Sequence, residues 1–544
     1  MRKWFEKAHG AIIWTIAIAF VAGIVVWSIS SYVSSRKGSV KYNLEDSVAY
    51  LTKDGTALSE EYWIFPWEVE DSYNKALSYY QVSDVDPVFE APMLKTSVLN
   101  DLIETKTILY YAQVNKISPT KEEINQELDK QVADIKKNEQ LLNYIKQKYG
   151  SVENYKKKIE PEVVKYLTIA KVRDTIASVS DDEMKSYYSE NREDLMNKYD
   201  QANVDFVSFS SQASANDFIS EAMNTGFYQA ATNMNLSVQN YDSFKRGIID
   251  KRFEDSIFGS TNTIVGPIPL GSNFFVFNVK DVKTVDTFEK FTLSQGYQDV
   301  LNQLKSDKFR KAIDEFKRNE NVSSKIIDPV YKTWNQVLTN SGTSLLNVYK
   351  KLNEMVLDES TMVTVKHDTP VEIKAAFVTL VDKMQAATEL TNDAVYKQIL
   401  DDASKESKLV LESIYNDYPE SFIAAKKMKT LYPKRTDVLY NYYTKLYSKI
   451  KPYVEYGMLQ SVVNDFIDLY GGLNTLSEAT DISLDWKAEV LYDLYEINKM
   501  LKDATTAEQY LEKLKEATPT YMDFEAAFNE LETMKNSTST SNNK

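Results

Sequence analysis

The chain has 544 residues and 64 Lys+Arg against 79 Asp+Glu, a net charge of −15. It is too long for one core at about 150 residues per domain, and too acidic for a nucleic-acid binder, which needs a basic footprint against phosphate. There is no cysteine and there are only two histidines, His9 and His367. Disulfides, thiolate catalysis and Cys-ligated metal are thereby excluded, and a serine–histidine triad or a multi-histidine metal site has almost nothing to be built from.

From Gly10 to Ser35 there are 26 consecutive residues without Lys, Arg, Asp or Glu. As a helix they extend about 39 Å at ~1.5 Å per residue, more than a hydrocarbon core of about 30 Å. Ile12, Ile13, Trp14, Ile16, Ile18, Phe20, Val21, Ile24, Val25, Val26 and Trp27 are the expected anchor residues. A secretory signal peptide is the rival reading, with Ser28 and Ser30 imitating a cleavage site, but its apolar region is usually only ~7–15 residues. Arg2, Lys3 and Lys7 before the span balance Arg36, Lys37 and Lys41 after it, so flanking charge does not set the orientation.

Lys53-Asp54-Gly55 reads as a turn, and a helical region opens near Pro92, with Leu102 and Leu109, like Ile103 and Tyr110, seven residues apart. Ser118-Pro119-Thr120, followed by Glu122 and Glu123, opens a second helix. A further helix carries Tyr166, Ile169, Val172 and Ile176 on one face. Ser180 and Glu183 form a capping box for the next.

The texture changes at about Tyr199. Residues 204–209 read as a strand, 214–225 as a helix, and 266–270 and 273–280 as two strands joined by a short turn. Beyond Thr287 the pattern is helical again: Leu439, Tyr443, Leu446 and Ile450 step by four, three and four residues, as do Val490, Leu494, Ile497 and Leu501. Aligning Pro519 with the closing proline of a tetratricopeptide repeat puts Leu494, Ala507 and Leu511 at apolar signature positions, but Tyr495 falls where a small residue is expected. Residues 536–544 are polar and read as a disordered tail.

The chemistry-bearing motifs are few. Gly266-x4-Gly271 lacks the phosphate-gripping lysine of a P-loop and reads as turn punctuation. Asp401-Asp402 reads as a solvated helix face and His367 as a lone exposed histidine. No metal site and no cofactor are expected.

The order of parts carries a resemblance. Leu102-Ile103-Glu104, Ile117 to Thr120 with Glu122-Glu123-Ile124, Gly150-Ser151 before Tyr155, and Val179 to Met184 followed by Tyr187-Tyr188 resemble the helical chaperone module of SurA/PpiD/PrsA-type periplasmic folding factors. The anchor makes the arrangement similar to the membrane-tethered, PpiD-type members. Tyr199 to Lys283 resembles a parvulin (PpiC-like) prolyl isomerase domain, through Phe253, Phe258-Gly259 and Ile264 to Ile268. Parvulins keep a histidine in the first strand, where Asp205 or Phe206 stands here depending on register. They keep another in the last strand, where Phe275 stands.

The resemblance implies a mainly α chain with one small α+β module: residues 1–36 a cytoplasmic stub and anchor, 37–198 a SurA-N-like helical chaperone domain, 199–284 a degenerate parvulin-like domain, 285–328 a helical return, and 329–535 a helical domain with one TPR-like stretch. It implies a membrane-anchored holdase in the bacterial inner membrane, with the bulk of the chain periplasmic, that binds unfolded or newly exported polypeptides near the export channel. The client groove is expected at Phe206, Phe244, Phe253, Phe258 and Phe275. An active divergent prolyl isomerase and a helical scaffold of a membrane complex are the alternatives.

Overall fold

A computed structural model describes residues 42–82, 84–259, 263–358 and 363–541. The Gly10–Ser35 segment, with all eleven expected anchor residues, lies outside the described residues. Among the described residues no helix is long and apolar enough to cross a membrane. The chain divides into two compact units: residues up to Lys106 together with Ser323 onward, and Thr107–Val322. This division differs from the expected boundaries, since it joins the stretch before Lys106 to the C-terminal helices rather than to the chaperone-like module.

The first unit starts with β1 (Ala49–Lys53), β2 (Thr56–Ala57) and β3 (Trp63–Ile64). Asp54 and Gly55, both at positive φ, close the β1–β2 hairpin that the Lys53-Asp54-Gly55 run predicts. Helix α1 (Pro66–Tyr79) follows, then α2 (Glu90–Val114), whose residues are shared between the units. Val48, Ala49, Ile64, Val69, Leu99 and Leu102 form a small core beneath these strands.

In the second unit, α3 (Lys121–Lys136), α4 (Glu139–Tyr149), α5 (Val152–Ile176), α6 (Asp181–Glu190) and α7 (Arg192–Tyr199) come first. Thr120 and Ser180 cap α3 and α6, each with its glutamate three residues on, as the sequence predicts. Pro119 stands before the cap rather than in the first turn. Ile169, Val172 and Ile176 face a core with Ile108 and Phe309, whereas Tyr166 is exposed.

The antiparallel sheet follows: β4 (Gln201–Phe209), α8 (Gln212–Thr225), α9 (Phe227–Asn233), β5 (Gln239–Lys245), α10 (Lys251–Phe258), β6 (Thr263–Leu270) and β7 (Asn273–Lys283), in strand order β5-β4-β7-β6. The short α11 (Phe288–Thr292) and the long α12 (Gln295–Asn319) end the unit.

The expected helical return also contains a strand, β8 (Val322–Ile326), which pairs with β1. The Thr52 and Ser323 hydroxyls meet across it at 2.7 Å. Among the described residues eleven α-helices then follow in the first unit: α13 (Pro329–Thr339), α14 (Leu345–Val356), α15 (Val371–Gln385), α16 (Thr388–Thr391), α17 (Lys397–Asp417), α18 (Phe422–Leu431), α19 (Thr436–Glu455), α20 (Val463–Glu478), α21 (Leu484–Met500), α22 (Ala504–Ala517) and α23 (Phe524–Ser541), with a short antiparallel strand pair, Leu357–Asp358 and Thr364–Val365, between α14 and α15. From α17 on, each packs against the next, and α19 also touches α21.

Val88 and Phe89 belong to the same core as Trp334, Phe377 and Leu446. Asp86, 4% exposed, joins these segments. Its Oδ1 accepts from the Val88 and Phe89 amides, both at 3.0 Å, and its Oδ2 from the Ser421 hydroxyl at 2.8 Å and the Ile423 amide at 2.9 Å. Ser421 Oγ in turn accepts from the Ala424 amide and caps α18. The segment expected as a disordered tail is helical to Ser541, because no Gly or Pro interrupts α23.

Candidate functional site

Strand alternation divides the second unit's sheet into two faces, each with its own apolar cluster. Ala202, Val204 and Phe206 of β4 join Phe277 and Val279 of β7, with Ile257 and Phe258 of α10, in one apolar cluster. Val207, Phe209 and Val276 join Phe218, Phe227 and Ala230 of α8 and α9 in the other.

On the first face the rings of Phe206 and Phe275 lie side by side, with centroids 5.7 Å apart. Phe277 backs both, at 5.9 Å from Phe206 and stacked at 6.2 Å from Phe275. Phe206, Phe275, Phe253 and Leu270 are half-buried over this core. Phe244 and Phe258, expected in the groove, are interior instead, at 2% and 4% exposure. Phe244 packs on Phe277 at 5.6 Å, so it supports the aromatic face from below.

Asp205, the other candidate for the first-strand position, faces away. It is buried, and its carboxylate accepts from Asn240 Nδ2 at 2.8 Å, from Lys280 Nζ at 2.8 Å and from the Tyr228 hydroxyl of α9. Burial pushes this carboxyl up, but the hydrogen bonds from Asn240, Lys280 and Tyr228 outweigh it and hold it below the usual carboxylate range. This polar network therefore belongs to the opposite face from Phe206 and Phe275.

A buried ion cluster fixes the loop after β5. Arg246 Nε is 2.7 Å from Asp200 Oδ2, its Nη1 is 3.5 Å from Glu254, and its guanidinium lies 4.5 Å from the Phe258 ring centroid. Asp200 Oδ1 accepts the Val285 amide at 2.7 Å, and Glu254 accepts the Gly247 amide. These charges satisfy one another, which suits a structural pin.

Gly266 of β6 has φ +153°, and a Cβ there would stand 2.8 Å from the Phe275 carbonyl oxygen. Gly266→Ala is therefore expected to push β6 off β7 beside Phe275 and to cost about 2 kcal/mol in urea unfolding. An unchanged midpoint would contradict this.

Family models match two stretches of the chain: residues 1–166 match the SurA-like N-terminal domain, and residues 179–291 match the PPIC-type PPIASE domain. The chain thus carries a SurA-like N-terminal match followed by a PPIC-type match. Among solved structures it is similar to a chain from work on PEB4 and the periplasmic protein Cj1289, described as SurA-like chaperones of Campylobacter jejuni, at 17% identity over 52% of this chain and 99% of that one, with a TM-score of 0.23. The foldase protein PrsA of Lactococcus lactis matches at 13% identity over 54% and 99%, TM-score 0.21, and the peptidylprolyl isomerase PrsA of Bacillus cereus at 15% over 55% and 98%, TM-score 0.20. No curated protein matches the chain.

The PPIC-type match is wider than the expected 199–284. Its flanks are tied together: Met184, Tyr188 and Leu195 pack with Val285 and Phe291, and the Tyr188 hydroxyl donates to the Val285 carbonyl at 2.8 Å. Of the five expected groove residues, the PPIC-type domain brings Phe206, Phe253 and Phe275 to one half-buried face. Phe277, two residues after Phe275 and on the same side by strand period, is 3% exposed and backs these rings from the core, as Phe244 does. Among the described residues no group of three or more acidic or histidine side chains is placed to hold a metal ion.

Proposed function

We propose that the chain is a membrane-anchored, extracytoplasmic holdase whose PPIC-type domain binds apolar segments of unfolded exported polypeptides without catalysing prolyl isomerisation. The pairing of Phe206 with Phe275 carries this reading. Rotating an X–Pro bond meets a barrier of about 18–20 kcal/mol set by amide resonance. Lowering it calls for polar groups aimed at the twisted amide as well as an apolar seat for the proline ring. Here the two positions that the family resemblance assigns to histidine hold phenyl rings in contact. They extend an apolar, aromatic surface suited to transient contact with unfolded chain. The SurA-like N-terminal match supports the polypeptide partner, and the Gly10–Ser35 segment supports the anchor.

A divergent isomerase is the second reading, favoured by the PPIC-type match and by the Asp205 network with Tyr228, Asn240 and Lys280. A protease-coupled assay on a proline peptide separates the two. The wild-type chain is expected to leave the uncatalysed rate, with its time constant of tens to hundreds of seconds, unchanged, while suppressing aggregation of an unfolded client. Phe275→His alone is expected to restore no turnover, since Phe206 still fills the partner position. Robust wild-type turnover that is lost in Asp205→Asn would establish the enzyme instead.

A further inference from the structure

The C-terminal helices carry a second constellation, made where α19 meets α21. Glu489, Asp493 and Glu496 follow one another at four and three residues along one face of α21. Asp493 is buried at 6% exposure, while Glu489 at the rim is exposed. Tyr440 and Tyr447 approach from α19, Tyr492 from α21, and Tyr521 from the turn after α22. Tyr440 donates its hydroxyl to Glu489 and stacks on Trp486 at 4.3 Å, and Tyr492 lies 5.7 Å from Tyr521. Tyr447, 8% exposed, feels the Asp493 charge most strongly of its neighbours, and its hydroxyl has no hydrogen-bond partner among the described residues.

The charges here do not balance. Lys451 lies beside Glu455 at 4.0 Å, and Lys499 is shared between Glu496 and Glu530, both at 3.2 Å. Four glutamates thus face two ammonium groups, and the deepest acidic side chain, Asp493, has neither ammonium as a close ion-pair partner. Burial, with Glu489 beside it, pushes the Asp493 carboxyl up to about 8, so near neutral pH it is held largely as the acid, and an arriving cation would favour its ionisation with release of the proton to solvent. Aromatic faces around a carboxylate are the chemistry that holds guanidinium and ammonium groups.

We propose that this cluster binds an Arg or Lys side chain of an extended polypeptide, which enters at the exposed Glu489 rim, pairs with Glu489 and Asp493, and packs against the tyrosine rings. The inference rests on the reading of the chain as a binder of unfolded polypeptide, and it adds a basic-residue preference located away from the PPIC-type domain.

Fluorescence anisotropy with the full chain, at low salt, tests it on labelled Gly/Ser peptides that differ only in one Arg, Lys, citrulline or Glu. The Arg and Lys peptides are expected to bind and the citrulline and Glu peptides not. Asp493→Asn is expected to weaken Arg-peptide binding about tenfold without lowering the melting midpoint, because Asn removes a buried acid. Glu489→Gln, at the exposed rim, is expected to weaken it as well. Equal binding of the citrulline and Arg peptides, or binding unchanged in both variants, overturns the proposal. If client aggregation is still suppressed while Arg selectivity is absent, this site alone fails. If Arg binding persists without suppression, the holdase reading alone fails.

Discussion

Asp86→Ala is expected to destabilise the first unit by about 3–4 kcal/mol in urea-induced unfolding. One buried carboxylate accepts four hydrogen bonds, from Val88, Phe89, Ser421 and Ile423. Its loss leaves three backbone amides and a hydroxyl unpaired where water reaches poorly, and each unsatisfied buried group costs about 1–3 kcal/mol before relaxation. Asp86→Asn, which keeps the shape and one acceptor oxygen, should lose roughly half as much. A fragment starting at Pro329 lacks Asp86, Val88 and Phe89, and should be correspondingly weaker than the same helices in the full chain. A loss below about 1 kcal/mol for Asp86→Ala would show that solvent replaces the carboxylate freely.

Two adjacent glycines of α20 give the second large effect. A Cβ on Gly472 would stand 1.9 Å from Tyr443 Cζ, inside the ring, whereas one on Gly471 meets nothing within 4 Å. Tyr443 has little room to yield. Its hydroxyl donates to Asp468 Oδ1 at 3.2 Å, and Lys429, paired with Asp468 at 2.7 Å, lies over the Tyr443 ring at 4.7 Å. Helix propensity alone favours Ala over Gly by about 1 kcal/mol at either position. Gly471→Ala should accordingly stabilise by roughly 0.5–1 kcal/mol, and Gly472→Ala should destabilise by about 2–3 kcal/mol as α19 and α20 are forced apart. The pair is read from thermal melts, and a Tyr443→Ala background should remove most of the Gly472→Ala cost. Equal behaviour of the two glycines would refute the close approach.

What the sequence made legible was local. The capping boxes at Thr120 and Ser180 involve residues three apart, and both formed. The steps along Val490, Leu494 and Ile497 gave a buried helix face, because period alone decides it. The aromatic site was half legible. Phe206 and Phe275 could be nominated, but whether Asp205 or Phe206 faced the groove depended on pairing with β7. Phe244 and Phe258 have the composition of a groove, and only the packing of α10 made them core. Tyr495, out of place in a tetratricopeptide pattern, is 1% exposed and packs with Leu511 and Phe524, so α21 buries two faces where the pattern anticipates a small residue. Asp86 and Ser421 stand 335 residues apart, and no periodicity in either segment points to the other.

The return of β8 to β1, with α2 leading out and α13 following it, has a consequence for how the protein is made. As the chain emerges from its N-terminus, β1 and Asp86 appear long before the partners that complete them, at residue 323 and residue 421. Closing so long a stretch of free chain is costly in entropy and slow, but the cost grows only with the logarithm of loop length. The intervening Thr107–Val322 unit has its own internal cores, so it can collapse first and shorten the distance that remains to be closed. Until then the apolar residues Val88 and Phe89, whose core partners run from Trp334 onward, stay uncovered. A protein read here as a keeper of unfinished chains thus passes, during its own synthesis, through the exposed condition it would relieve in others.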